Sequence, residues 1–396
     1  MKPKTFMLIA GEASGDLLAA ELVAALREQL PDAKFFGAGG AKMAAAGVEL
    51  AFDLTQHAMV GLPTLGKYFQ LRRLAGQLRA LAIKRQPDAV IGVDYGGFNL
   101  RFGHAIKEFV RRHPSANWNP KIIQFVSPQV WASRPGRADL LARDYDLLLS
   151  IFPFEKDWYA QRVPSLRVEF VGHPMVDRLK SEVRSQKSGV SAASPAILLL
   201  PGSRTSELQR HSWVILSALK LIQEKLPAAK AKMVLPNENL AKTASMELDL
   251  IKKLESAFDP NEIFRNLEIQ VGNLPDALAQ ADVAIASTGT VTMECAFFGV
   301  PTVTLYKKSL LGVAIALRVI TVKSLTMPNL MAGGEVYPEF LQSAATPENI
   351  SRAALELLQN ESRRQKIKSQ LERIISSLGE PGAANRAASA ILSLFK

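Results

Sequence analysis

Asp94 is the side chain in this sequence with the clearest chemical opportunity. It ends an apolar run, Val90-Ile91-Gly92-Val93, and is followed by Tyr95-Gly96-Gly97-Phe98-Asn99. A carboxylate at the C-terminal end of a buried strand is partly withdrawn from water, which raises its pKa and suits it to take a proton as a general base. The alternative is an Asp that caps the next helix, but Asn99 is better placed for that and leaves Asp94 free. A second opportunity is Arg204, which closes Leu200-Pro201-Gly202-Ser203-Arg204 ahead of a helix containing Glu207. A guanidinium is always charged and offers paired donors that match a diphosphate. At a helix start the dipole opposes a cation, so Arg204 is either a surface arginine held at some cost or a ligand group. A third is Ser287-Thr288-Gly289-Thr290-Val291-Thr292-Met293-Glu294. Here Gly289 and Thr290 could cradle an anion where a helix opens, and Glu294 could accept hydrogen bonds from a ribose diol one turn later. Otherwise Thr290 is a cap and Glu294 is solvated.

Other loops carry weaker signals. Gly11-Glu12-Ala13-Ser14-Gly15-Asp16 is a small-residue turn opening a helix, without G-x-G-x-x-G or a Walker lysine. It is either a ligand-facing backbone loop or a tight turn capped by Ser14 or Asp16. Ser127-Pro128-Gln129-Val130-Trp131, with Arg134 and Arg137 behind it, mixes an aromatic face with hydroxyl and amide groups. That mixture suits sugar recognition if Trp131 is exposed and core packing if it is not. His173, in Gly172-His173-Pro174, is a ligand group or a structural histidine. The turn 328–335, Pro-Asn-Leu-Met-Ala-Gly-Gly-Glu, offers Asn329 and Glu335 as polar contacts. Asp144-Tyr145-Asp146 spells a D-x-D, but it stands before an apolar strand and reads as that strand's start. H-E-x-x-H and paired-cysteine ligand sets do not occur, so no obligatory metal is expected.

These residues need elements to hold them. Short apolar runs alternate with amphipathic segments, as βα units of a parallel sheet do. Strands are expected at 6–10, 34–37, 89–93, 121–126, 147–151 and 168–171, with helices at 16–30, 65–85 and 101–113 between them. The polar stretch 180–194 reads as a linker. Alternation resumes with strands at 196–200, 231–235, 267–271, 283–286 and 302–305. The expected organisation is an α/β fold of two doubly wound parallel-sheet domains, 1–179 and 195–346, facing a cleft, with C-terminal helices over 347–396.

Composition limits the function classes. The chain has 396 residues, enough for about two domains with sizeable cores. With 48% hydrophobic and 21% charged residues it is an ordinary globular sequence rather than a disordered or fibrous one. Cys295 is the single cysteine, so no internal disulfide can form and a reducing, cytoplasmic setting is expected. The basic start, Met1-Lys2-Pro3-Lys4, precedes an apolar run too short for an export signal. The net charge of +11 favours an anionic partner, whether nucleic acid, phosphorylated substrate or acidic lipid surface.

As a set, six stretches in one order resemble the lipid-A-disaccharide synthase family. They are 11–16, 126–132 (Val-Ser-Pro-Gln-Val-Trp-Ala), 152–156 (Phe-Pro-Phe-Glu-Lys), 171–174, 200–204 and 328–333. The resemblance implies a GT-B glycosyltransferase, inverting and metal-independent. Such an enzyme joins UDP-2,3-diacylglucosamine to 2,3-diacylglucosamine 1-phosphate, giving a β-1′,6-linked disaccharide and UDP in Gram-negative bacteria. It implies no cofactor beyond the UDP-sugar substrate and no nucleic-acid partner. Asp94 then matches the family's candidate base, Arg204 its diphosphate contact, and Asn329 with Glu294 its nucleotide-side polar positions. Gly11, Glu12, Ser14 and Asp16 match its first-domain loop. The chain departs from the family pattern at Gly97, Ser133 and Gly334, where an acidic residue, an aromatic and an arginine are common.

Acylated substrates imply contact with a bilayer at the inner face of the inner membrane, without a span. Met59, Val60, Leu62, Leu65 and Phe69, bordered by Lys67, Arg72 and Arg73, form an apolar stretch suited to an anionic surface, or else an amphipathic core helix. A homodimer made by exchange of C-terminal segments is compatible with such a tail. Two other readings share the scaffold. One is a UDP-sugar 2-epimerase, which needs no acylated acceptor; the other is a glycolipid or sugar-nucleotide binding protein without catalysis, against which the retained Asp94 and Arg204 argue.

Overall fold

The computed structural model describes residues 3–55, 65–179, 194–254, 264, 266–309, 313 and 320–396. The chain divides into two compact units, Met1–Asp177 with Leu378–Lys396, and Arg178–Ser377. In the first unit, strands β1 (Thr5–Ala10), β2 (Lys34–Gly39), β3 (Glu49–Asp53), β4 (Ala89–Val93), β5 (Lys121–Phe125), β6 (Leu147–Ser150) and β7 (Val168–Phe170) form a seven-stranded sheet, ordered β3-β2-β1-β4-β5-β6-β7. Every pairing is parallel. Helices cover both faces of such a sheet, so its central strands are predominantly apolar rather than alternating. Accordingly Phe6, Met7, Leu8 and Ile9 of β1 are fully buried, and β4 is buried along its whole length.

The second unit repeats the plan with β8 (Ala196–Leu200), β9 (Lys230–Leu235), β10 (Leu267–Val271), β11 (Val283–Ser287), β12 (Thr302–Tyr306) and β13 (Glu339–Leu341), ordered β10-β9-β8-β11-β12-β13. The expected two-sheet α/β class is the one observed. Two strands are additional to the expected set, β3 and β13. Both are edge strands with partly exposed residues, so neither carries the buried apolar run that marks a central strand.

The C-terminal tail differs from the single block of helices expected over 347–396. Helices Pro347–Gln359 and Glu361–Ser377 belong to the second unit, whereas Ala383–Leu392 returns to the first and packs on helix Ala13–Gln29. The reason is local. The Gly379-Glu380-Pro381-Gly382 break redirects the chain, Asp177 accepts the Gly382 and Ala383 N–H groups at 2.5 and 3.3 Å, and Arg386 donates through Nε to the Val171 carbonyl at 2.8 Å. The expected linker 180–194 lies, apart from its last residue, outside the described residues.

Each strand order reverses once, between β1 and β4 in the first sheet and between β8 and β11 in the second. Ligands of open α/β sheets bind at the carboxyl ends of the strands beside that reversal, because the loops there diverge to opposite faces and leave a crevice. Ala10 of β1 pairs with Val93 of β4, so Gly11 and Asp94 leave the first sheet side by side. Ala286 of β11 pairs with Leu200 of β8, which sets Ser287 level with Pro201 in the second.

Candidate active site

Asp94 and Tyr95 both adopt left-handed backbone, with φ of 50° and 46°. Two successive non-glycine residues in this region are strained and persist only when surrounding contacts fix them. Here the fixing contacts are side-chain amides: Asn99 Nδ2 and Gln124 Nε2 each donate to the Asp94 carbonyl at 2.8 Å. Asn99 is buried inside helix Gly96–Arg112 and is not its cap, contrary to the expectation; the cap position is Tyr95, without a side-chain bond. The Asp94 carboxylate is nonetheless left for chemistry, because the turn is held through its carbonyl. Ser14 Oγ donates to Asp94 Oδ2 at 3.5 Å. Burial raises the Asp94 pKa, against smaller opposing contributions from the Tyr95 N–H and the Ser14 hydroxyl. Tyr95 lies across the first loop: a Cβ on Gly11 would stand 2.3 Å from its ring, so glycine is required there. The Glu12 charge reaches the Tyr95 hydroxyl and, after burial, adds to the rise in its pKa.

Other first-unit candidates are occupied by the fold. Asp16 is buried, and its carboxylate accepts the N–H groups of Gly40, Lys42 and Met43 at 2.7, 3.0 and 3.1 Å. It therefore anchors helix Ala41–Ala45, and the Gly11–Asp16 loop offers Gly11, Glu12 and Ser14 only. Trp131 is buried, not exposed; its Nε1 donates to Glu155 at 2.9 Å and its ring meets Phe154 edge-on. Ser127 is likewise buried and donates to the Tyr159 hydroxyl at 3.2 Å. His173 Nδ1 accepts the Met175 N–H at 3.1 Å, which starts helix Pro174–Leu179, and its ring packs on Phe152. The D-x-D carboxylates have structural partners. Burial alone would raise the Asp144 pKa, but Arg143, Arg111 and His104 outweigh it and bring the value to about 2. Asp146 accepts the Ile122 N–H and pairs with Lys107.

In the second unit Arg204 occupies the N-cap position of helix Thr205–Lys225, its side chain 43% exposed. Glu207 steadies this turn, accepting the Ser203 N–H and an Arg204 Nη1 hydrogen, both at 3.3 Å. Gly202 has φ of 134°, and a Cβ there would come within 2.7 Å of Glu207. Across the reversal, Gly289 has φ of 152° with open space where a side chain would project. Thr290 makes no side-chain cap bond, and Thr292 Oγ1 instead donates to the Gly289 carbonyl at 2.7 Å. Burial raises the pKa of Glu294. Asn329 does not have the free amide expected of a ligand contact. It is buried, accepting from the Val336 and Tyr337 N–H groups at 2.9 and 2.8 Å and donating to the Tyr337 carbonyl at 2.9 Å. Glu335 is exposed and pairs with Arg363 at 3.7 Å.

Comparison with known proteins decides which chemistry this scaffold carries. The family profile described as Lipid-A-disaccharide synthetase matches residues 6–394. The chain belongs to the lipid-A-disaccharide synthase family. It is 36% identical to the lipid-A-disaccharide synthase of Trichlorobacter lovleyi, over all of this chain and 98% of that one. The enzyme of the same name from Myxococcus xanthus is 34% identical over 99% of this chain and 98% of the relative. Among solved structures, the S. aureus MnaA-UDP co-structure superposes with a TM-score of 0.62 at 17% identity, covering 99% of this chain and 97% of that one. Acinetobacter baumannii MurG gives 0.56 at 16% identity, covering 99% and 100%. These distant likenesses show the fold, and the family assignment makes the chain a glycosyltransferase rather than an epimerase.

In this family member, sequence reasoning passed over several residues that position the loops. Gln124 looks like an ordinary strand residue, and Tyr95 lies in an apolar stretch; neither type signals its role. His211 is buried, its Nδ1–H donating to the Pro201 carbonyl at 2.7 Å while Nε2 accepts the Lys307 N–H at 3.1 Å, which ties the end of β8 to that of β12. Glu155 was visible only as part of a matching stretch. Its burial pushes its pKa from 4.5 to about 7, against hydrogen bonds from Trp131, Ser127 and the Phe152 and Ile151 N–H groups. Of the proposed membrane residues, Met59, Val60 and Leu62 and the Leu65 side chain lie outside the described residues. Phe69 is 58% exposed on helix Leu65–Arg85. Among the described residues no helix is long and apolar enough to cross a membrane.

Proposed function

We propose that this chain transfers a 2,3-diacylglucosaminyl group from its UDP donor to the 6-hydroxyl of 2,3-diacylglucosamine 1-phosphate, with inversion, in a single displacement. The observation that carries the reading is Asp94: a carboxylate of raised pKa, on a strained turn at the reversal of the first sheet, with one hydroxyl contact at 3.5 Å. Such a group accepts the proton of the attacking hydroxyl as the new bond forms. Departure of UDP leaves negative charge on the diphosphate, and a preorganised cation stabilises that charge most where it develops. Arg204, held by Glu207 at the end of β8, supplies it. Gly289 and Thr290 admit the nucleotide's phosphates close to backbone, and Glu294 accepts from its ribose hydroxyls. The first unit thus serves the acceptor and the second the donor. No metal takes part in this scheme, since the arginine performs the electrostatic role. Exposed Phe69 and the basic helix around it suit peripheral contact with an anionic bilayer.

The reading is tested by incubating the protein with both lipid substrates in neutral detergent and analysing products by mass spectrometry. A disaccharide phosphate formed with one UDP per turnover is the expected result. UDP-sugar consumed without acceptor, or no product, would refute it.

A further inference from the structure

Three arginines of the first unit converge without a counter-charge. Arg134 follows the short helix Val130–Ser133, Arg137 ends the 3-10 turn Pro135–Arg137, and Arg101 lies in helix Gly96–Arg112. The charges of Arg134 and Arg101 both bear on Arg137; with its partial burial, the larger cause, they lower its pKa. Among the described residues none of the three makes an ion pair or a side-chain hydrogen bond, although Asp139 stands two residues beyond Arg137. By contrast, nearby Arg111 and Arg143 are both paired with Asp144.

The turn that carries two of them is rigid. Arg134 N–H donates to the Val130 carbonyl at 2.8 Å and Arg137 N–H to the Arg134 carbonyl at 2.9 Å. Trp131, at its base, is anchored to Glu155. Holding like charges together on a fixed turn is unfavourable unless an anion relieves it. The position matters as well. β4 and β5 are paired neighbours, so the loops after Val93 and Phe125 emerge at one edge of the sheet. Arg101 follows Gly96 by five residues of helix, an axial rise of roughly 7.5 Å. That rise is on the scale of one hexose, measured from its 6-hydroxyl to a phosphate on C1.

We infer that Arg101, Arg134 and Arg137 form the site that recognises a phosphomonoester, the one carried on C1 of the acceptor sugar, and so orient its 6-hydroxyl toward Asp94. The inference rests on the acceptor reading proposed above. Arginine forks bind phosphate bidentately, and each such contact is among the stronger charge-assisted hydrogen bonds. The same chemistry would fit a phospholipid headgroup, so the source has to be distinguished.

The test compares Arg101→Gln, Arg134→Gln and Arg137→Gln with the unsubstituted enzyme, using 2,3-diacylglucosamine acceptors with and without the 1-phosphate in neutral detergent micelles. The preference for the phosphorylated acceptor, as a ratio of kcat/KM values, should fall about 10- to 100-fold in each variant, with the KM for the UDP donor unchanged. An unchanged ratio overturns the inference. A defect that appears only on acidic phospholipid vesicles and vanishes in neutral micelles assigns the arginines to the membrane and also overturns it. A second measurement needs neither the variants nor turnover. Phenylglyoxal modification of the unsubstituted protein, mapped by peptide mass spectrometry, should be blocked at Arg134 and Arg137 by glucosamine 1-phosphate but not by glucosamine. Equal labelling with both sugars contradicts the site. If the enzyme forms no disaccharide, the proposed function fails, and this protection still decides whether the arginines bind a sugar phosphate.

Discussion

Replacing Glu155 with Gln should stabilise the first unit at alkaline pH and leave it nearly unchanged in acid. Glu155 is fully buried, and burial raises its pKa from 4.5 to about 7. Between those values the folded state keeps a proton that the unfolded chain has released, so stability falls as pH rises through that window. The gap corresponds to about 3 kcal/mol, all of it absent at pH 4 and fully expressed above pH 8. Glutamine cannot ionise, yet its carbonyl can still accept from Trp131 Nε1, which now contacts Oε1 of Glu155 at 2.9 Å; its NH2 replaces Oε2 and gives up the longer contact from the Phe152 N–H at 3.4 Å. The variant's advantage should therefore grow from near zero at pH 4 to on the order of 2–3 kcal/mol at pH 8, less whatever the new amide N–H groups lose in finding partners. Chemical denaturation followed by tryptophan fluorescence is a suitable assay, since Trp118, Trp131 and Trp158 lie in the first unit and only Trp213 in the second. A variant whose stability difference from the parent is the same at pH 5 and pH 8 would refute the buried-carboxyl reasoning. A variant whose deficit against the parent deepens from pH 5 to pH 8 would show that the charge is favourable where it sits.

Three further outcomes follow from the geometry. Gly11→Ala should lower kcat at least tenfold by pushing the Tyr95 ring off the first loop, and adding Tyr95→Ala should recover part of the loss; strictly additive losses would exclude that clash as the cause. Arg204→Ala should weaken UDP binding about 10- to 100-fold with little change in melting temperature, because the side chain is 43% exposed and among the described residues pairs only with Glu207; unchanged UDP affinity in calorimetry would remove it from the diphosphate site. Phe69→Ser should reduce sedimentation with anionic vesicles without lowering the melting temperature, and undiminished sedimentation would dissociate this helix from the membrane.

The central strands were legible because parallel sheets bury both faces, so β1, β4 and β8 read as unbroken apolar runs and β5 as one interrupted by Gln124. The edge strands β3 and β13 lack that constraint and left no such run. Asp94 was legible from its place at the end of β4, but the device that holds it was not. A turn pinned through a carbonyl by Asn99 from the following helix and by Gln124 from the neighbouring strand depends on how those elements pack, which local residue spacing does not encode. Asp16, Trp131 and Asn329 illustrate the converse. Polar or aromatic residues in ligand-like loops looked available, yet each satisfies backbone or buried groups of its own loop or a neighbouring one. Local sequence shows which side chains can bond, not which bonds the tertiary fold has already made.

The most direct test of the whole account is the product and rate of the Asp94→Asn variant beside the parent enzyme, with both lipid substrates at saturation. Asparagine keeps the shape of the side chain and removes its basicity. The account predicts a β-linked disaccharide from the parent, seen by mass spectrometry and by the proton coupling at the new anomeric centre. For the variant it predicts kcat lower by about a hundredfold to ten-thousandfold and unaltered UDP affinity. An α-linked product, or a variant that keeps more than about a tenth of parental turnover, would contradict it.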